Sequence, residues 1–302
     1  MGWTCAGSGS EAGCVAARGG PGPVEYGLRL TTPCEVPSDL REACPPDWRD
    51  LLPEGRAVAL YFGTEFCEDR LPDLDEASAY CETARDRGLE ATLTTPLVSP
   101  EGLRTIDRLL GSLTSGGWRP AVVFNDWGVL ELLRGRHPAL PRRAGRLVNR
   151  TLRDPRAYRD ATGGTATHDA SRFTRLHTLL RRLGVEAVET DADLEGGFLG
   201  DGDDEGGRPL GRALHYPFTY AASGRGCPLK AALYPEGGGF AQAFADPCPA
   251  PCRGKPLSVH RADTALPHWR AGNTLFYEPP HEATRAWLPH ADRIVIHPMA
   301  AP

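Results

Sequence analysis

No stretch of this 302-residue chain approaches the roughly 20 consecutive apolar residues that a membrane-spanning helix needs, and no basic start followed by an apolar run opens it. These two absences point away from membrane insertion and export, and the expected location is the cytoplasm. Excess positive charge is missing too. Against 39 Asp and Glu stand 34 Lys and Arg, a formal charge of -5 that provides no general attraction for nucleic acid, though a local nucleic-acid substrate stays open. Three catalytic signatures are also absent: the H-E-x-x-H helix of zinc proteases, a serine nucleophile elbow, and the glycine fingerprint of dinucleotide-binding sheets. Met1-Gly2 lacks the Ser or Thr that a myristoylation signal needs, because Ala6 stands there. Asn149-Arg150-Thr151 fits a glycosylation acceptor, but without export the match carries no inference.

What is present in quantity is glycine, proline and cysteine, at 35, 28 and 9 residues. Residues 1 to 23 are rich in Gly, Ser, Ala and Pro without apolar periodicity, which reads as a flexible leader ahead of one domain over 24 to 302. Val24 to Leu30 fits a first strand, and Pro33, Pro37, Pro45, Pro46 and Pro53 break the next segment. From Val58 onward strand-like and helix-like segments alternate. Val58 to Gly63, Leu89 to Thr94, Ala121 to Phe124 and Val185 to Glu189 read as strands. Further strands are expected around Ala213 to Tyr220, Thr274 to Tyr277 and Arg293 to Ile296. The helix over 74 to 87 presents Ala77, Tyr80, Cys81 and Ala84 on one face and stops at Gly88. Ser99-Pro100 opens a second helix bearing Leu103, Ile106 and Leu110, and Phe173, Leu176, Leu179, Leu180 and Leu183 stripe a later one. Such alternation over more than 200 residues implies parallel β/α units, so the expected fold is α/β and TIM-barrel-like rather than an open sheet. A Gly/Asp-rich stretch over 195 to 211 resembles the start of a calcium loop, but Arg212 stands where the bidentate Glu belongs, leaving a surface loop as the reading.

Nine cysteines without a secretion signal favour metal ligation or catalysis over a disulfide framework. Cys248-Pro-Ala-Pro-Cys252 is a C-x3-C pair framed by prolines that restrict its backbone, and Cys227 lies close enough upstream for a loop to return the chain to the same point. Cys67 follows the strand ending at Gly63, and in a barrel such strand-end loops gather on one face. Four thiolates suit a 4Fe-4S cluster or a tetrahedral zinc ion. The scattered spacing favours the cluster over the repeated C-x2-C of zinc knuckles, and unrelated buried thiols are the bland alternative. Cys81 reads as core by its helical spacing, whereas Cys5, Cys14, Cys34 and Cys44 carry no assignment.

Several of these segments resemble the collagenase-like peptidase family, peptidase U32, in its UbiV-like, ubiquinone-biosynthesis branch. The residues that carry the likeness are Tyr61-Phe62-Gly63-Thr64-Glu65-Phe66-Cys67, Val123-Phe124-Asn125-Asp126-Trp127-Gly128, Gly145-Arg146-Leu147-Val148-Asn149-Arg150 with Arg153-Asp154-Pro155-Arg156, and Tyr216-Pro217-Phe218-Thr219-Tyr220 leading to Gly224-Arg225-Gly226-Cys227. Together they span about residues 57 to 298. The resemblance implies a barrel with a 4Fe-4S cluster, oxygen-independent hydroxylation of a small aromatic substrate, and a UbiU-like partner subunit, a related branch acting on a tRNA base. The family name implies proteolysis, which the missing protease signatures do not support. Beyond the enzyme and the peptidase, a non-catalytic scaffold around a structural metal held by four cysteines is the third reading.

Five residues are candidates for substrate binding. Asn125 and Asp126 directly follow a strand, on the face where barrels act, with a helix cap as the alternative for Asp126. Arg146 and Asn149 are candidates for an anionic substrate, with ordinary surface charge as the alternative. Arg225, two residues before Cys227, is placed to contact substrate or tune a cluster by charge. His215 reads as a strand residue with a satisfied imidazole.

Overall fold

The computed structural model describes residues 23–30, 36–149, 153–156, 170–192, 210–234, 239–253 and 256–298. The proposed leader, the Gly/Asp-rich stretch over 195 to 209, and Cys5, Cys14 and Cys34 lie outside them. Eight strands close into a barrel: β1 (Val24–Arg29), β2 (Gly55–Gly63), β3 (Glu90–Thr94), β4 (Ala121–Phe124), β5 (Arg142–Ala144), β6 (Ala187–Thr190), β7 (Gly211–Tyr216) and a last strand, Arg293–Ile296, that returns to β1. Every neighbouring pair is parallel. Parallel strands buried on both faces need continuous apolar runs, and β2 shows why. Leu60 and Phe62 face the outer helices, Phe62 stacking on Tyr80 with ring centres 5.1 Å apart, while Ala59 and Tyr61 face inward with Val123, Ala213 and Val295.

The outer layer is laid down by the crossover connections between parallel strands. After α1 (Pro46–Arg49), α2 (Leu74–Asp86) buries Ala77, Tyr80, Cys81 and Ala84, the face expected from their spacing. α3 (Pro100–Ser115) starts with Pro at its first position, and the Ser99 hydroxyl accepts from the Gly102 N–H at 3.1 Å. α4 (Trp127–Arg136) follows β4, and α5 (Ala170–Arg182) precedes β6. On α5, Leu180 is buried but Leu179 is exposed, which narrows the expected stripe.

Two expectations about late strands change. The run Ala213 to Tyr220 is not one strand: it divides at a cis Tyr216–Pro217 peptide into β7 and β8 (Thr219–Ser223). Thr274–Tyr277 is a strand but lies outside the barrel. As β11 it pairs antiparallel with β8 on one side and β10 (His268–Ala271) on the other, and β9 (Leu257–Val259) completes a four-stranded sheet. The physical reason is a two-residue turn, Gly272-Asn273, with Gly272 at φ +62, which folds β10 back on β11 and forbids the crossover a parallel strand requires. This sheet, with α6 (Pro228–Ala231) and α7 (Gly239–Ala245), is an insertion between β7 and the last barrel strand; α8 (His281–Trp287) leads from it into β12 (Arg293–Ile296).

Charge, not hydrocarbon, fills much of the barrel axis. At its N-terminal end Arg293 reaches Glu25 at 2.9 Å and Glu90 at 3.0 Å, and Arg143 reaches Glu90 at 2.8 Å. No helix among the described residues is long and apolar enough to cross a membrane.

Candidate active site at the C-terminal mouth of the barrel

Loops after the barrel strands meet at one end, and the insertion folds over them. Cys67 comes from the loop after β2, where it precedes the short turn Glu68–Arg70. Cys227 caps α6, its sulfur accepting from the Lys230 N–H at 3.4 Å, and the Cys248 sulfur accepts from the Ala250 N–H at the same distance. Ala250, between the two proline-framed cysteines, holds the left-handed conformation at φ 53. All four thiols are free, as are Cys44 and Cys81, both buried. Burial pushes the Cys67 thiol up to about 12, assisted by Asp69 and by the nearby Cys248 and Cys252. Cys248 is raised by burial first, with Asp69 and Cys227 adding to it. Cys67 lines one cavity with Cys227 and another with Cys252. Among the described residues no group of three or more His, Cys, Asp or Glu stands in an arrangement that could hold a metal ion.

Two polar ties hold this neighbourhood together. The Asn273 amide donates to the carbonyls of Phe66 and Gly224, at 2.6 Å each, stitching the Cys67 loop to the approach to Cys227. Lys230, buried on α6, donates to Asp69 at 3.0 Å from across the same seam. Arg225 is half exposed, 3.6 Å from Glu68, and Glu68 in turn accepts from the Ser99 backbone at 2.7 Å. A cavity of about 170 Å³ lies between these loops, lined by Cys67, Cys227, Arg225 and Lys230 among others.

Directly below lies a charged cluster. Arg146, fully buried, donates to both oxygens of Glu65, at 2.8 and 2.5 Å, and to Asp191 at 2.5 Å. Arg153 completes the Asp191 carboxylate at 2.6 Å. The Arg146 guanidinium also stands 5.3 and 5.5 Å from the ring centres of Phe66 and Tyr220. For Glu65, burial alone would raise the carboxyl, but Arg146 outweighs it and holds Glu65 below its ordinary value. The reading of Arg146 and Asn149 as surface charge is thus overturned: both are fully buried, and the Asn149 amide donates to the Glu189 carbonyl at 3.2 Å.

Asn125 spends both ends of its amide on backbone, donating to Thr95 O and accepting from Leu147 N at 2.9 Å each, which ties the loops after β3, β4 and β5. Asp126 caps α4 by accepting from Gly128 N at 2.7 Å and also accepts from Val98 N at 3.3 Å. Sequence reasoning missed Glu65, Asp191, Glu189 and His297. The available signal was position: each ends, or closely follows, a barrel strand.

A line of titratable groups runs up the axis. Tyr61 Oη is 3.4 Å from Glu189, whose other oxygen is 3.0 Å from His215 Nε2, and His215 Nδ1 is 2.7 Å from His297 Nε2. His215 does have a satisfied imidazole, though as a link in a chain. Burial pushes the Glu189 carboxyl up to about 7, against the pull of Arg143 and Arg293, and holds both imidazoles well below their ordinary value. Between about 4.5 and about 7 the folded chain keeps a proton on Glu189 that the unfolded chain has lost, so this group weakens folding as pH rises through that window. The histidines act oppositely, since the unfolded chain takes up their protons below 6.5. Comparison with Glu189→Gln isolates the carboxyl. Urea unfolding across this range is expected to show wild type losing stability relative to the variant as pH rises, on the order of 3 kcal/mol in total. A difference that stays flat would show that Glu189 titrates normally.

A second cavity, of about 50 Å³, joins the two halves of the site: Arg29, Glu65, Arg146 and His297 line it from the barrel, Cys67 and Cys252 from above.

No protein-family model matches the chain, and no curated protein matches it. Solved structures with a similar arrangement include the U32 peptidase Mk0906, at 13% identity over 96% of this chain and 98% of that one with a TM-score of 0.43. The spore cortex-lytic enzyme SleL of Bacillus megaterium QM B1551 is 8% identical over 95% and 72%, with a TM-score of 0.35. Dihydropteroate synthase of Burkholderia cenocepacia is 14% identical over 92% and 87%, with a TM-score of 0.38. At this level of similarity the chain's own residues must carry any assignment of function.

Proposed function

We propose that this chain is an iron-sulfur protein of the UbiV-like type, in which Cys67, Cys227, Cys248 and Cys252 hold a 4Fe-4S cluster beside a buried polar pocket. The reaction proposed for that pocket is oxygen-independent hydroxylation, or a related modification, of a small aromatic substrate. What supports the reading is that these four thiols are free and that Cys67 lines one cavity with Cys227 and a second, charged one with Cys252. The donor set fits the group: it is all sulfur, each of two sulfurs already accepts a backbone N–H, and the carboxylates nearest to it are engaged elsewhere, Asp69 by Lys230 and Glu68 by Ser99. When bound, the cluster supplies electron transfer. The chain's own residues do the rest. Asn273 and Lys230 fix the two cysteine loops against each other, Arg146 with Glu65 and Asp191 keeps the pocket floor rigid, and the Glu189–His215–His297 line gives a proton a route between the barrel axis and the pocket.

A zinc ion on the same four thiolates is the alternative occupant, and would favour the structural scaffold. A peptidase is the second reading, against which stands the absence of a zinc-protease H-E-x-x-H helix and of a serine nucleophile elbow. For a UbiU-like partner subunit, the support is the exposed Phe240 and Phe244 on α7 and Leu233 beside it, an apolar surface next to the cysteine loops. Anaerobically purified protein is expected to contain about four iron and four sulfide per chain and little zinc. Stoichiometric zinc without sulfide would replace the enzyme reading by the scaffold.

A further inference from the structure

Among the described residues, two buried polar atoms at the pocket have no partner. Arg29, the last residue of β1, is 9% exposed, and its Nη1 finds no hydrogen-bond acceptor. His297, immediately after the last barrel strand, is 1% exposed; its Nε2 is taken by His215, and its Nδ1 meets nothing. Both side chains line the same cavity of about 50 Å³. A buried N–H left without an acceptor costs about 1–3 kcal/mol, and more for a charged group, so two such atoms on residues lining one cavity need an explanation.

Charge says what is missing. The cavity and its floor hold four guanidiniums, on Arg29, Arg70, Arg146 and Arg153, against two carboxylates, on Glu65 and Asp191. Those carboxylates are saturated, Glu65 by Arg146 and Asp191 by Arg146 and Arg153, and Arg29 forms no ion pair with either. Among the described residues Arg29 is left buried without a carboxylate of its own. Water molecules could satisfy the hydrogen bonds but not the charge.

We infer that the Arg29–His297 pocket binds the carboxylate of a small organic acid, Arg29 supplying the counter-charge and His297 Nδ1 a hydrogen bond. The tautomers allow it. When the proton sits on the Glu189 carboxyl, that group donates to His215 Nε2, His215 Nδ1–H donates to His297 Nε2, and His297 is left with its N–H at Nδ1, aimed at the carboxylate. The cavity has room for a carboxylate and a few attached atoms, a water position needing about 10–15 Å³. Phe66 and Phe276 in its wall favour a ring beyond the carboxylate, and the larger cavity shares Phe66, Cys67 and Asn273 with it, leaving space toward the cysteines. This names the substrate class for the proposed reaction and rests on that reading for its catalytic meaning; the binding itself does not require the metal.

Benzoate and its neutral isostere benzamide test it by calorimetry on the full chain, with iron and sulfide measured on the same sample. Benzoate is expected to bind at least tenfold more tightly than benzamide. Arg29→Gln is expected to abolish that preference, Arg29→Lys to keep part of it, and His297→Gln to weaken benzoate several-fold. Equal binding of the two ligands to wild type would overturn the inference, as would an unchanged preference in Arg29→Gln. If Arg29→Gln does not fold, the wild-type comparison and His297→Gln decide. Benzoate binding only to iron-free protein would also overturn it, because Arg29 would then be the counter-charge of the cluster. Preference for benzoate in a sample that takes up no iron would sink the cluster and leave the acid site standing.

Discussion

Arg146→Leu is expected to destabilise the chain by about 3–5 kcal/mol, enough to leave much of it unfolded, because the change strands two buried carboxylates. Glu65 and Asp191 are both fully buried, and Arg146 supplies three of the four short hydrogen bonds that their carboxylates accept from guanidinium groups there. Removing the guanidinium leaves Glu65 with no ion-pair partner and Asp191 with Arg153 alone. Leucine of similar bulk fills the space between Phe66 and Tyr220 but answers no charge. Arg146→Lys keeps one positive charge and loses the bidentate fork, so an intermediate loss is expected. The double variant Glu65→Gln with Arg146→Leu separates charge from packing: it is expected to recover part of the loss at neutral pH. Urea unfolding measures all three. A loss below about 1 kcal/mol for Arg146→Leu would mean that the cluster is solvated in solution, and the rigid pocket floor would go with it.

The second large effect concerns metal. Replacing any one of Cys67, Cys227, Cys248 or Cys252 by Ala is expected to reduce iron and sulfide to less than about a tenth of wild type, since a cluster needs all four thiolates. Cys81→Ala is the control, a core residue on α2 that touches none of this, and it is expected to cost a little stability and no iron. The insertion bears three of the proposed ligands on short elements with little apolar core of its own, Phe218, Tyr220 and Phe276 forming its cluster. Loss of metal is therefore expected to lower protection of β8 to β11 against hydrogen exchange while the barrel stays intact. Iron retained in full by Cys67→Ala would remove the barrel from the site and leave at most a three-cysteine centre on the insertion.

How far the sequence disclosed this arrangement depends on what each residue is made to do. Barrel strands such as β2, β4 and the last one are legible because burial on both faces forces an apolar run, and Val58 to Gly63, Ala121 to Phe124 and Arg293 to Ile296 stand close to where that pattern puts them. β5 was not legible: it is three residues long, Arg142–Ala144, and Arg143 points its charge at Glu90 inside the barrel. β11 was legible as a strand but not as part of a separate sheet, although Gly272-Asn273 before it is a hairpin signal. The cysteines could be singled out because thiols are scarce and their loops follow a strand or a proline frame. The buried ion cluster could not, because Arg, Glu and Asp are by default surface residues and nothing in local spacing links Glu65 to Arg146 or Asp191. Only the closed barrel brings those strand ends together.

The account stands or falls on whether Cys67, delivered by the barrel, shares one centre with the three cysteines of the insertion. Anomalous-difference maps from crystals of anaerobically prepared protein, collected at the iron and zinc edges, test this directly. The predicted result is one cluster of four irons, no signal specific to zinc, and the sulfurs of Cys67, Cys227, Cys248 and Cys252 each bonded to a different iron of it. A zinc peak there, an iron site that Cys67 does not reach, or a disulfide joining any two of the four would contradict it.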